Sequence, residues 1–297
     1  MPELPDLAIL ADALDAALAG RPLEGATTPQ SLVVRGTPAE LAAMTGQRLI
    51  EVRRRGKFLL LPLERDSIVI NAMLTGRLGL AEPGSKAFAQ TAAVLTFGPR
   101  AGAPDAEPGR SGPPTEQWVT DGGGLPPQER PVELRYRDAT RMGKIYLLPA
   151  GIQRPVAGWD EQGPDADAEE LTLAEWRSRL RRHGGELKNL LRNQAFVAGI
   201  GNAYSDEILW AARLAPFRAR ASLAPDEADQ LYRSVREVLA WAIGELRQLV
   251  PPRLEVEQRA FLRVHGKGGQ PCPRCGTRIT EVSAGGFVTN WCRSCQA

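Results

Sequence analysis

Four cysteines crowd into the last 26 residues of this 297-residue chain, as Cys272-Pro273-Arg274-Cys275 and Cys292-Arg293-Ser294-Cys295. Two CxxC pairs with 16 residues between them have the spacing of a structural zinc site. Four thiolates complete a tetrahedral shell around one Zn²⁺ and leave no open position for catalysis. The metal then does the work of a core that so short a hairpin cannot build. The other reading, two disulfides, conflicts with the reducing cytosol expected for this chain. His183 and His265 are not needed as ligands and read as structural or backbone-contacting.

The opposite end carries a second kind of chemistry. Removal of Met1 would leave Pro2 with a free secondary amine beside the carboxyl of Glu3. An α-amino group has a pKa near 8, against about 10.4 for lysine, so part of it is an unprotonated nucleophile at neutral pH. Such an amine can form an imine with a sugar aldehyde carbon, and an adjacent carboxyl can donate the proton that opens the sugar ring. Taken alone, Met-Pro-Glu-Leu-Pro also reads as a stiff, solvated terminus.

A third candidate lies centrally. Gly185 to Leu191 leads through Val197-Ala198-Gly199-Ile200-Gly201-Asn202 into Ala203-Tyr204-Ser205-Asp206-Glu207, a helix, a glycine-punctuated turn and another helix. Backbone N–H groups and the Asn202 amide at the mouth of that second helix suit a phosphate; the alternative is a tight helix–helix turn with no ligand.

These residues need a scaffold, and the texture of the chain changes along its length. After a helical stretch at Leu7 to Leu18, short apolar runs such as Phe58 to Leu61, Ile68 to Ile70 and Ala93 to Leu95 alternate with turn residues, as strands do. Leu171 to Arg182, Glu186 to Asn193, Ala203 to Ala212 and Asp226 to Leu249 show helical spacing instead. Residues 98–131 hold seven Gly and eight Pro, which predicts a flexible insertion with Trp118 its one adhesive residue. Residues 151–170 predict a linker. The boundaries that follow are 1–150, 171–250 and a cysteine module over 260–297.

Charge is segregated. The chain carries a formal +2, yet residues 98–131 hold −2 and residues 159–175 hold −7, which leaves +11 on the remainder. A basic body of this kind suits a polyanion. No stretch approaches the roughly 18 uncharged apolar residues of a membrane-spanning helix, and the first residues lack the basic start and apolar run of a secretory signal. A cytoplasmic protein with no membrane partner is the expectation.

Taken in order, the motifs Pro2-Glu3-Leu4-Pro5, Arg54-Arg55-Gly56-Lys57, Leu74-Thr75-Gly76-Arg77, the Gly199 to Asn202 turn and the finger ending Trp291-Cys292-Arg293-Ser294-Cys295-Gln296 resemble the Fpg/Nei family, the formamidopyrimidine-DNA glycosylases and endonuclease VIII. The resemblance covers most of the chain outside 98–131. It implies an α+β fold: an N-terminal β-sandwich domain, a helical helix-two-turns-helix domain and a four-cysteine zinc-finger hairpin, with damaged double-stranded DNA held in the cleft and the protein acting as a monomer. It also implies a base-excision-repair glycosylase with AP lyase activity. Pro2 would attack C1′, Glu3 would be the acid, and Lys57 would assist near the lesion phosphates. Lys188, Arg141 and Asn202 would hold the DNA backbone. An enzyme that draws a base out of the stack must fill the gap, and the resemblance assigns that to Leu74, with further wedge positions at Thr140 and Met142. Ordinary core packing is the plainer reading of Leu74 and Met142.

The sequence departs from the family at several points. Asp6 stands where glutamate is usual. The finger's Gly-Arg-x-Thr pattern reads Gly286-Phe287-Val288-Thr289, and Phe287 cannot donate to a phosphate. Gln90 to Val94 contains no histidine, and Pro251 to His265 shows no long base-capping loop. Lys267 and Arg293 are the finger cations in a position to replace the missing charge. These departures bear on strand cleavage and base preference, and they favour a rival expectation: a catalytically weakened lesion- or abasic-site binding protein.

Overall fold

The computed structural model describes residues 1–87, 89–100, 125–250, 254–284 and 286–296. The central part of the anticipated insertion, with Trp118, lies outside the described residues. The chain divides into two units: Met1–Pro2, Asp6–Val156 and Leu246–Glu257 in the first, and Glu3–Pro5, Ala157–Glu245 and the chain from Gln258 onward in the second. The division after Val156 falls inside the expected linker. Two exchanges had no signature in the sequence, because a three-residue segment and the end of a long helix carry no compositional mark.

The first unit contains most of helix α1 (Leu4–Leu18), strands β1 (Leu23–Thr27) and β2 (Val34–Arg35), helix α2 (Pro38–Ala43), and strands β3 (Arg53–Arg55), β4 (Phe58–Pro62), β5 (Ser67–Asn71), β6 (Arg77–Ala81), β7 (Thr91–Phe97), β8 (Val132–Arg137) and β9 (Lys144–Leu148). One sheet runs β1-β7-β8-β6 and the other β2-β9-β5-β4-β3. Alternation does the folding: along β8, Val132, Leu134 and Tyr136 point inward while Glu133, Arg135 and Arg137 remain partly exposed. Side chains from both sheets (Leu95, Phe97 and Leu134; Leu59, Ile68 and Leu147) close one core with Leu7, Leu14 and Leu18 of α1.

Arg21 is fully buried there. It donates to the carbonyls of Ala17 at 2.7 Å, Gly98 at 3.0 Å, Pro127 at 2.8 Å and Arg130 at 2.6 Å. The guanidinium thus fastens both described ends of the 98–131 segment, satisfying carbonyls that the glycine- and proline-broken chain cannot pair in a ladder.

The second unit holds α3 (Leu173–Arg182), α4 (Leu187–Arg192), α5 (Asn202–Ala212), most of α6 (Pro225–Leu249) and the hairpin β10 (Thr280–Ala284)/β11 (Phe287–Trp291). Trp176, Phe196, Tyr204, Leu209, Leu231 and Leu239 dominate its core, and Leu4 lies in the same cluster. The expected linker is in part a fixed element. Ala166 is fully buried, its N–H reaches Ala198 O at 3.0 Å, and Gly163 N reaches Gln194 O at 2.8 Å. Its acidic composition had concealed that backbone pairing. Among the described residues no helix is long and apolar enough to cross a membrane.

Candidate active site and nucleic-acid interface

Helix α5 begins with backbone N–H groups that have no intrahelical partner. They are satisfied from the far end of the sequence. The Glu3 carboxylate, 2% exposed, accepts from Gly201 N at 2.6 Å, Ala203 N at 2.8 Å and Tyr204 N at 3.2 Å. A carboxylate at a helix N-terminus also meets the positive end of the helix dipole. The approach is so close that a Cβ on Gly201 would lie 2.5 Å from Glu3 Cδ. This corrects the backbone part of the phosphate-site reading of the turn: the N–H groups of Gly201, Ala203 and Tyr204 go to Glu3, and that of Gly199 goes to Gln194 Oε1 at 2.9 Å. Pro2 is buried, and with Met1 in place its nitrogen is an amide; the Met1 ammonium pairs with Glu257 Oε1 at 3.1 Å.

Lys188 does not stand as a DNA contact. It is 3% exposed, and its ammonium donates to Asp206 Oδ1 at 2.6 Å, Val288 O at 3.1 Å and Thr289 Oγ1 at 2.9 Å. An ammonium has three protons, so none is left for a phosphate. Burial lowers the Lys188 pKa more than the Asp206 charge raises it. Asp206 also accepts from Asn290 N at 3.1 Å and contacts His265 Nδ1 at 2.8 Å. The neighbouring Glu207 carboxyl, pushed up by burial against three backbone donors, takes the N–H groups of Arg263, Val264 and His265. Lys188, Asp206 and Glu207 therefore tie α4 and α5 to the finger. Asn202 gives one amide proton to Val288 O at 2.9 Å and keeps the other, while its buried Oδ1 has no hydrogen-bond partner.

At the finger's tip Phe287 is 43% exposed, and the guanidinium of Arg192, the last residue of α4, lies over its ring at 3.7 Å from the centroid. The cations anticipated in the finger are elsewhere. Lys267 Nζ donates to Ala260 O, and Arg293 sits 5.7 Å from the Trp291 ring.

The first unit displays the residues expected to act as wedges. Leu74 and Met142 are 52% and 48% exposed, which excludes the core-packing reading. Each is next to a non-glycine residue with left-handed backbone, Met73 (φ 48°) and Arg141 (φ 56°). Such conformations persist only where the surroundings enforce them. Here Asp138, 1% exposed, does so: it accepts from Thr75 Oγ1, from Thr140 N at 3.1 Å and Oγ1 at 3.1 Å, from Gly143 N at 2.7 Å and from Tyr136 OH at 3.2 Å. Burial alone would raise the Asp138 carboxyl, but these donors outweigh it and hold it below the usual range. Gly76 and Gly143 are glycine because a Cβ at either would strike the Tyr136 hydroxyl. Thr140, anticipated as a wedge, belongs to this hydrogen-bonded base instead; its hydroxyl lies 2.7 Å from that of Thr75. Arg141 is exposed beside it.

Lys57 occupies the two-residue turn Gly56-Lys57 between β3 and β4, where Arg55 pairs with Phe58. Gly56 at φ 55° in the first turn position is what a type II′ hairpin asks for.

The four cysteine sulfurs lie within 4.8 Å of one another, with Cys275–Cys292 at 3.5 Å and Cys272–Cys295 at 4.0 Å. All four are free thiols, so the disulfide reading fails. Metal–sulfur bonds of about 2.3 Å in a tetrahedron demand sulfur separations of this size, so the thiols fit a structural metal. Hydrogen bonds from Thr277 already bring the Cys275 thiol down to about 6. Trp210 Nε1 donates to Cys272 Sγ at 3.4 Å, a supporting contact around the ligands.

Sequence reasoning missed Asp138, Asp206 and Arg192. Asp138 had a signal, since it opens the segment holding Thr140 to Met142. The other two act through partners too distant in sequence to pair.

Three family models match in the order of the fold: the formamidopyrimidine-DNA glycosylase N-terminal domain over residues 1–110, the formamidopyrimidine-DNA glycosylase H2TH domain over 162–249, and a zinc finger found in FPG and IleRS over 269–297. The formamidopyrimidine-DNA glycosylase of Heliobacterium modesticaldum is 31% identical across all of both chains, and that of Thermomicrobium roseum is 31% identical over 100% of this chain and 99% of its own. The crystal structure of the MutM (Fpg) protein from Thermus thermophilus is 30% identical and superposes with a TM-score of 0.76 over 99% of this chain and 98% of that one. Lactococcus lactis Fpg, in complex with DNA containing N7-benzyl-Fapy-dG, shares the fold at 24% identity with a TM-score of 0.80 over 99% of each chain. The chain belongs to the Fpg/Nei family of DNA glycosylases.

Proposed function

We propose that this protein is a bifunctional DNA glycosylase/AP lyase that excises oxidised or ring-opened bases from double-stranded DNA. The observation that carries the proposal is the buried Glu3 carboxylate, fixed by three backbone N–H groups beside the one residue, Pro2, that becomes a secondary amine when Met1 is removed. That amine attacks C1′ of the damaged nucleotide; the N–C1′ bond forms while the base departs with the glycosidic electron pair and takes up a proton. The Glu3 carboxylate takes the proton that the Pro2 nitrogen sheds on attack and delivers it to O4′, which opens the sugar and leaves an iminium on Pro2. Loss of a proton from C2′ then expels the 3′ phosphate, and hydrolysis of the iminium releases the enzyme. Lys57 on its hairpin turn and Arg141 on its strained loop contact phosphates, together with the uncommitted amide proton of Asn202. Leu74 and Met142 fill the space the base leaves. One zinc ion, held by Cys272, Cys275, Cys292 and Cys295, keeps the finger folded. The protein acts as a monomer on DNA in the cytoplasm, and its second elimination is weak because Phe287 offers no donor to the lesion phosphate.

That same Phe287 favours a second reading, a lesion- or abasic-site binding protein without chemistry. Borohydride trapping on a duplex with one abasic site separates the two. The enzyme reading expects a covalent adduct with the Met1-processed chain and none with Pro2→Ala. Tight binding with no adduct from the processed chain establishes the second reading.

A further inference from the structure

We propose that Arg192 is the cation that grips a phosphodiester of the lesion strand at the finger's tip, with Phe287 as the platform that aims it. This rests on the glycosylase reading above. Arg192 ends α4, and its guanidinium stacks 3.7 Å from the centroid of the half-exposed Phe287 ring. Among the described residues its N–H groups have no hydrogen-bond or ion-pair partner. Other arginines of this unit are committed: Arg179 to the Phe196 and Ala195 carbonyls, Arg218 to Glu227, Arg177 to Asp229. Stacking on a ring face engages the π surface of a guanidinium and leaves its in-plane donors pointing outward, the geometry that accepts two phosphate oxygens at once. The charges of the Glu3 and Asp206 carboxylates favour the charged form of the same guanidinium, against the burial that lowers it. Both carboxylates are already bound, Glu3 by backbone N–H groups and Asp206 by Lys188, so neither consumes the arginine's donors. A plain structural staple would need only the stack; a half-buried cation with unspent donors at the finger's tip is a seat for an anion.

The test measures binding to a duplex carrying a tetrahydrofuran abasic analogue, by fluorescence anisotropy across about 50 to 200 mM salt, for the metal-loaded native chain, Arg192→Gln, Arg192→Lys and Phe287→Leu. Arg192→Gln is expected to weaken binding about tenfold or more, as loss of a charge-assisted hydrogen bond does, and to flatten the slope of log K against log salt by about 0.9. Arg192→Lys keeps the slope and loses affinity; Phe287→Leu keeps the slope with a smaller loss. A structural staple predicts the reverse, with Phe287→Leu and Arg192→Gln equivalent and the slope unmoved in both. If the native chain binds tightly and Arg192→Gln matches it in affinity and slope, the inference fails while the glycosylase reading stands. A native chain that does not prefer the abasic analogue over intact duplex overturns both.

Discussion

The first unit sets two large hydrophobic side chains on exposed loops, and the second buries a cluster of four ionisable ones. Leu74 and Met142 stand half in solvent on strained loops, whereas Glu3, Lys188, Asp206 and Glu207 are each 3% exposed or less. Either arrangement is costly on its own terms, since exposed apolar surface and buried charge both oppose folding. Each is sustained by a dense local network: the donors around Asp138 in one unit, the Lys188–Asp206 pair and the Glu3 cap in the other. The contrast teaches that a side chain out of place for its type depends on the hydrogen-bonded residues around it, whichever way it is displaced.

The comparison breaks most sharply at Lys188. Replacing it with alanine leaves Asp206 buried without its ammonium, and the loss of stability is expected at about 3 kcal/mol or more by chemical denaturation, with the finger hairpin loosening first. A change below about 1 kcal/mol would show that the knot is solvated in solution. Asp138→Asn comes next. It turns one acceptor oxygen into a donor that faces N–H and O–H groups already pointing inward, at an expected cost of about 1–3 kcal/mol. This difference has a pH signature. Asp138's pKa is lowered in the folded protein, so its contribution is present above the unfolded value of 3.8 and fades as pH falls through the folded one. The gap between native and variant stability is therefore flat above about pH 5 and narrows below about pH 4. Leu74→Ala should move stability least, within about 0.5 kcal/mol, because the side chain buries little in the free protein. Single-turnover base release should nevertheless slow about tenfold or more, since the vacated stack is left unfilled. A large fall in melting temperature with normal base release would return Leu74 to the packing role it was denied here.

Much of this organisation is legible in the chain itself. The CxxC spacing carries the metal site, the change from alternating to helical periodicity carries the two textures, and the terminal Pro2-Glu3 pair suggests its own chemistry. What escapes is every pairing made across long sequence distance. Glu3 meets Gly201 across 198 positions and Lys188 meets Thr289 across 101. Nothing local distinguishes Lys188 on an amphipathic helix from a surface lysine, which is why it read as a DNA contact. Arg192 escapes for the same reason: no local signal links the end of α4 to Phe287, 95 positions further along the chain. Thr140 misread differently, because its β-hydroxyl, rather than its methyl, decides where it goes.

The space denied at Gly201 has an evolutionary consequence. A Cβ there would collide with Glu3 Cδ at 2.5 Å, so the two positions are epistatic although they stand at opposite ends of the gene's first two-thirds. While Glu3 is present, any side chain at 201 displaces the carboxyl from beside the terminal amine. Once Glu3 is lost, the constraint on 201 vanishes, and a lineage that fills the turn closes the route back to glutamate. In this scaffold, abandonment of the chemistry would leave its record in the turn as well as at the terminus.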